Sequence, residues 1–276
     1  MELSKRKIKE QFLNSGVNEE LPALDKVKTA NSFIERPLWI TNDLQAPTGQ
    51  GVRISVIDSG WDRTLANLQV KKGVGFVHPM DELVLKQSDD DQDRIGHGTA
   101  CADLILQIAP NAEIFPVRVF GHRLETSVPI LVAAINWVID QRLQIVNLSL
   151  GTHLADAVRP LYAACELARR HGVIIVAAAH VSKVWSFPSI FENVIGVGAG
   201  DFRRPFDYSY QKNEATECLA KGGEQMVLWL KGQRVPRQGT SFAAPHISGI
   251  VALFLERHPH ARLEDIRELL AQYATG

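Results

Sequence analysis

From residue 242 to residue 255 the chain places an apolar or small side chain on nearly every face of a helix. A helix of that kind must be enclosed by other elements, so the fold has to wrap it on all sides. A chain of 276 residues with 45% apolar content can do this around one large core, and α/β folds of this size commonly form one domain. The helix opens with Gly239-Thr240-Ser241, and Pro245 follows about one turn in. A missing N–H costs little there if the helix begins near Ser241. Ser241 then lies at a helix N-terminus, beside unpaired backbone N–H groups and the positive dipole end. Taken alone, it reads as an ordinary serine cap on a core helix.

The elements that could enclose this helix are legible before it in the chain. Residues 52–57 form a β-branched run, a buried strand ending in Asp58-Ser59-Gly60. Further strands are expected over 74–77, 113–119, 145–150, 173–179 and 194–199, with helical spacing over 96–106, 128–142 and 155–171. The stretch 203–238 is loop-rich, with a short strand candidate at 226–229, and the last helices are expected over 241–257 and 263–273. Strands alternating with helices predict an α/β fold with a doubly wound, mostly parallel sheet flanked by helices. Residues 1–50 read as an N-terminal arm or short extension, and residues 51–276 as one domain.

Charge and cysteine content narrow the function. Thirty basic residues against thirty-one acidic leave a net charge of −1, so no basic field argues for nucleic acid or an anionic membrane. Cys101, Cys165 and Cys218 are widely spaced with no metal-ligand pattern, which fits a reducing compartment. The first residues, MELSKRKIKEQF, lack the apolar core of a secretory signal, and the apolar runs are too short to span a membrane. The expectation is a cytoplasmic globular protein. Its oligomeric state is not legible.

Three positions carry chemistry: Asp58 after a strand, His97 between two glycines at a helix start, and Ser241 at a helix start. A serine hydroxyl is a weak nucleophile. It needs an imidazole to take its proton, and a carboxylate to hold that imidazole in the right tautomer. Each position alone has a structural explanation, as a turn aspartate, a capping or core histidine and a serine cap. The three together are much harder to dismiss.

The segments VIDSGWD (56–62), GHGTACADLI (96–105), VNLSLG (146–151) and GTSFAAPHISGIVAL (239–253) resemble the signature blocks of the subtilisin-like serine peptidases. They stand in that family's order of Asp, His, Ser, and the resemblance runs from about residue 51 to residue 269. It implies Asp58 as orienting carboxylate, His97 as general base and acid, and Ser241 as nucleophile of an endopeptidase that works on a peptide or protein substrate through an acyl-enzyme. It also implies that Ser149, Leu150 and Gly151 bind the substrate backbone as an added strand. Two other outcomes stay open: a peptide-binding pseudo-peptidase, and an acyl-transfer enzyme that ligates or cyclises peptides.

The chain departs from the family where a Gly-Asn pair usually supplies an oxyanion donor. Here residues 177–182 read Ala-Ala-Ala-His-Val-Ser. His180 is the substitute donor, or else backbone N–H groups act alone. Phe187-Pro188 resembles an aromatic-Pro segment near the floor of the pocket for the residue before the cut. Cys101, one turn beyond His97, is expected to pack in the core. The run Asp89, Asp90, Asp91 and Asp93 has three readings: a solvated loop, a calcium site without a clear motif behind it, or a negative field that favours basic substrates. No cofactor is expected otherwise.

Overall fold

In a computed structural model, the described residues are 46–77, 85–179, 186–212, 214 and 216–276. The arm expected over 1–50 lies outside them except for its last five residues. The strands are β1 (Arg53–Asp58), β2 (Val74–Val77), β3 (Lys86–Ser88), β4 (Glu113–Arg118), β5 (Ile145–Leu148), β6 (Ile174–Ala178), β7 (Ile195–Gly200), β8 (Tyr208–Tyr210), β9 (Cys218–Lys221), β10 (Gln225–Leu228) and β11 (Arg234–Arg237). The helices are α1 (His97–Ile108), α2 (Val128–Asp140), α3 (Ala155–Arg170), α4 (Thr240–Arg257) and α5 (Leu263–Tyr273).

Nine strands form one sheet in the order β3-β2-β4-β1-β5-β6-β7-β9-β8. Its interior pairs are parallel, and only the edge pairs β2–β3 and β8–β9 are antiparallel. The strands buried on both faces, β1, β5 and β6, are those that read as continuous β-branched runs. One core cluster joins α1, α4 and α5 to one face of the sheet, and a second joins α2 and α3 to the other. The doubly wound expectation therefore holds. The sequence reading passed over β3, β8, β9 and β11, all of three or four residues and mostly half-exposed, and it placed β10 one residue late.

Every residue of α4 from Phe242 to Leu255 is buried. The helix lies against α1 on one side and the sheet on the other, as its all-round apolarity requires. The crossing with α1 is close because Gly249 has no side chain: a Cβ there would stand 2.6 Å from Ile108 Cβ. One glycine thus sets the spacing between the helix that carries His97 and the helix that carries Ser241.

Candidate active site

The crossovers part at β1. Connections from it build β4 and β2 on one side and β5, β6 and β7 on the other. Ligands of open α/β sheets bind at such a point, outside the carboxyl ends of the strands. Asp58 ends β1 and Ser149 follows β5, and the register pairs Ile57 with Leu148 just before them.

Asp58 is fully buried and accepts the Ser59 N–H at 2.7 Å. Its two oxygens lie 2.8 and 2.9 Å from His97 Nδ1. A carboxylate can only accept, so Nδ1 carries a proton, and in the neutral ring Nε2 is the free base. Burial disfavours the charged imidazolium, but the Asp58 carboxylate outweighs it and holds the His97 pKa well above the ordinary histidine value. Cys101, fully buried one turn along α1, has its Sγ 3.9 Å from Nδ1. Burial pushes its thiol pKa up, so it stays neutral and packs behind the ring as expected.

His97 is the first residue of α1, and the N–H groups of that first turn all look for acceptors outside the helix. Ser59 Oγ accepts from Gly98 N at 2.8 Å. Asp93, buried, takes Ile95 N and Gly96 N on one oxygen, both at 2.8 Å, and Thr99 N and Thr99 Oγ1 on the other at 2.9 and 2.7 Å. Asp93 therefore seats the helix that carries His97, a role the sequence reading did not assign. Its spacing before a helix start was the available signal.

The same observation corrects the reading of residues 89–93 as a substrate-facing negative field. Asp91 is buried against the Arg63 guanidinium and Gly73 N, and Asp90 binds Arg94 at 2.7 Å and Arg118 at 3.1 Å. Asp89 pairs with Lys72 at 2.7 Å. Carboxylates neutralised in this way cast little field into a cleft, and oxygens already filled by N–H donors do not suit calcium.

Ser241 stands at the second position of α4, so its N–H is one of those without an intrahelical acceptor. The helix begins at Thr240, which puts Pro245 deeper than expected and gives its missing N–H a definite consequence. In an unbroken helix residue 245 would donate to the carbonyl of residue 241. That carbonyl is instead taken by Ser149 Oγ at 2.7 Å, with Cys101 Sγ at 3.6 Å. Asn147 Nδ2 donates to Ser149 Oγ at 3.0 Å, and Ser248 Oγ donates to Asn147 Oδ1 at 2.9 Å. This buried chain latches the end of β5 to the turn that carries Ser241. The Ser241 hydroxyl itself donates to the Ser149 carbonyl at 3.2 Å, so it rests turned toward β5 rather than toward His97.

Leu150 and Gly151 follow Ser149 at the open end of β5, half-buried and exposed respectively. Thr152 then pairs with Phe187 through bonds of 2.9 and 2.8 Å, which brings the Phe187-Pro188 segment, joined by a cis peptide bond, alongside. His180, read as an oxyanion donor, lies outside the described residues. A cavity of about 610 Å³ lined by Phe191, Tyr210, Glu217 and Arg267 contains none of Asp58, His97 and Ser241. Among the described residues, no helix is long and apolar enough to cross a membrane.

Comparison with known proteins agrees with this geometry. M-protease of Shouchella clausii (strain KSM-K16) is 30% identical over 86% of this chain, which spans only 64% of that protein's length. Subtilisin Savinase of Lederbergia lenta is 29% identical, with 86% of this chain and 91% of that one covered. Among solved structures, a cold adapted subtilisin-like serine proteinase superposes with a TM-score of 0.69 at 24% identity, over 83% of this chain and 86% of that one, which speaks to the fold. Residues 49–276 match the subtilase family throughout, and the chain belongs to that family.

Proposed function

We propose that this protein is a serine endopeptidase that cuts peptide bonds through an acyl-enzyme on Ser241. The carrying observation is the buried Asp58–His97 pair, with Nδ1 held by the carboxylate and Nε2 left as a base beside the serine helix. A substrate strand laid along Ser149, Leu150 and Gly151 offers a backbone N–H to the Ser149 carbonyl. That donor displaces the Ser241 hydroxyl, which turns to His97 Nε2. His97 takes the proton as Oγ attacks the scissile carbonyl, and the developing oxyanion finds the Ser241 N–H at the start of α4. His97 then gives its proton to the leaving amine, and water repeats the sequence to release the acid. His180 is assigned the second oxyanion donor on its position after residues 177–179 alone.

An apolar hollow of about 490 Å³, lined by Val128, Val132 and Leu154, opens three residues beyond Gly151. It favours an apolar side chain upstream of the cut, and so limited processing of particular peptides over general digestion. Three buried free cysteines favour a reducing compartment such as the cytoplasm.

Incubation with a peptide library, with products identified by mass spectrometry, tests the activity. New carboxyl termini that are absent with Ser241→Ala are expected. Ligated or cyclic products would identify an acyl-transfer enzyme instead, and no product at all would contradict both readings.

A further inference from the structure

The hairpin β10–β11 runs directly into the turn that carries Ser241, and it is fastened beside His97 from three directions. Asp62, in the loop after β1, accepts Lys231 N at 2.6 Å on Oδ2. Arg234 reaches Asp103 of α1 at 3.3 Å. Trp229 lies so close over Gly96, the residue before His97, that a Cβ there would stand 2.4 Å from the indole. Gly96 has φ +103°, so both its conformation and its neighbour exclude a side chain. Val227 packs with Ala100, Leu104 and Phe242, and the Phe242 ring lies 5.3 Å from that of His97. The hairpin is therefore a fixed wall on the His97 side of the cleft.

Arg237, the last residue of β11, is exposed, with its guanidinium carbon 4.5 Å from the centre of the Trp229 ring. The indole face holds the cation in one place without neutralising it. The guanidinium also donates to the adjacent Pro236 carbonyl at 2.9 Å. Among the described residues no carboxylate pairs with it, whereas Arg234 on the same strand is paired.

The side of the cleft follows from the chemistry. His97 protonates the leaving amine, so the peptide beyond the scissile bond departs over His97, opposite the Ser149 strand. We infer that Arg237, held on Trp229, is a specificity-determining residue for the leaving-group side and selects a carboxylate one or two residues after the cut. This rests on the hydrolase reading above. An aspartate or glutamate side chain and a free peptide terminus offer the same chemistry, and an Arg guanidinium binds either through paired N–H groups.

The test compares kcat/KM for matched peptides carrying Glu or Gln at the first or second position after the cut. Peptides ending there with a free or amidated terminus form the second arm. The wild-type protein is expected to favour the carboxylate about threefold to tenfold at low salt, with the preference shrinking as salt rises. Preference confined to the first arm identifies a side chain as the ligand, and confined to the second a terminus. Arg237→Gln should bring the ratio near one, and Arg237→Glu should invert it in favour of the uncharged member of each pair. A merely structural role would lower both rates together and leave the ratio where it was, which would overturn the inference. Equal cutting of both members of each pair by the wild-type protein would also overturn it, with the hydrolase reading intact. Cutting of no peptide at all would contradict the hydrolase reading as well.

Discussion

Pro245 shows how one residue prepares a site it never touches. By withholding an N–H from the Ser241 carbonyl, it leaves an acceptor that Ser149 Oγ fills, and β5 becomes tied to the nucleophile's turn. Ser149→Ala should cost about 1–3 kcal/mol of stability, because a buried carbonyl loses its best donor. It should also lower kcat more than it raises KM, since the substrate's own acceptor, the Ser149 backbone carbonyl, is retained. Equilibrium unfolding and steady-state kinetics on one preparation check both. His97 makes the second prediction. Only its neutral form accepts the serine proton, and Asp58 raises its pKa, so activity should rise with pH through a limb above the ordinary histidine value. Asp58→Asn removes the charge and should move that limb to lower pH while cutting the rate about 10³–10⁴-fold. A pH profile with an unmoved limb would contradict the assignment.

The helix starts are where elements and chemistry meet. α1 is seated by Asp93 and Ser59 from outside the helix, so the direction of His97 depends on a loop residue four positions earlier. Asp93→Ala strips four donors of their acceptor and should cost about 2 kcal/mol or more. In a chain of this size that lowers the melting temperature by about 4–8 °C, which a thermal melt reads directly. The central strands and the five helices among the described residues were legible because burial on both faces, or a single apolar stripe, leaves a strong period. The short strands β3, β8, β9 and β11 were not, since three or four half-exposed residues carry almost none, and β10 was placed only one residue late. Asp58, His97 and Ser241 stood out in the sequence because each closes a strand or opens a helix. The role of Asp93 did not, because a run of aspartates looks the same whether it is solvated or saturated by N–H donors.

At the scale of the whole molecule, the hairpin β10–β11 and α4 share a buried histidine that limits the acid range. His246 is 1% exposed, with Nε2 held by Gln225 Oε1 at 3.0 Å and Nδ1 unpartnered among the described residues. Burial, helped by the nearby Lys221 charge, pushes its pKa down to about 3. The unfolded chain binds this proton below the ordinary histidine value of 6.5 and the folded chain does not, so stability falls as pH drops from 6.5 toward 3. His97 works in the opposite sense: its raised pKa adds stability that is fully present below 6.5 and lost as pH rises through the folded value. Its contribution therefore stays constant across the acid window. His246 alone should remove about 2 kcal/mol by pH 5, and His246→Gln should flatten that slope in urea unfolding followed against pH.

The central claim is that Asp58 and His97 equip Ser241 to attack. Intact-protein mass spectrometry after exposure to a fluorophosphonate tests it most directly. The account predicts one phosphonyl group per chain, located on Ser241, formed faster as pH rises through the His97 limb and absent from His97→Ala and Ser241→Ala. A folded wild-type protein that takes up no phosphonyl group, or takes it up equally without His97, would contradict it.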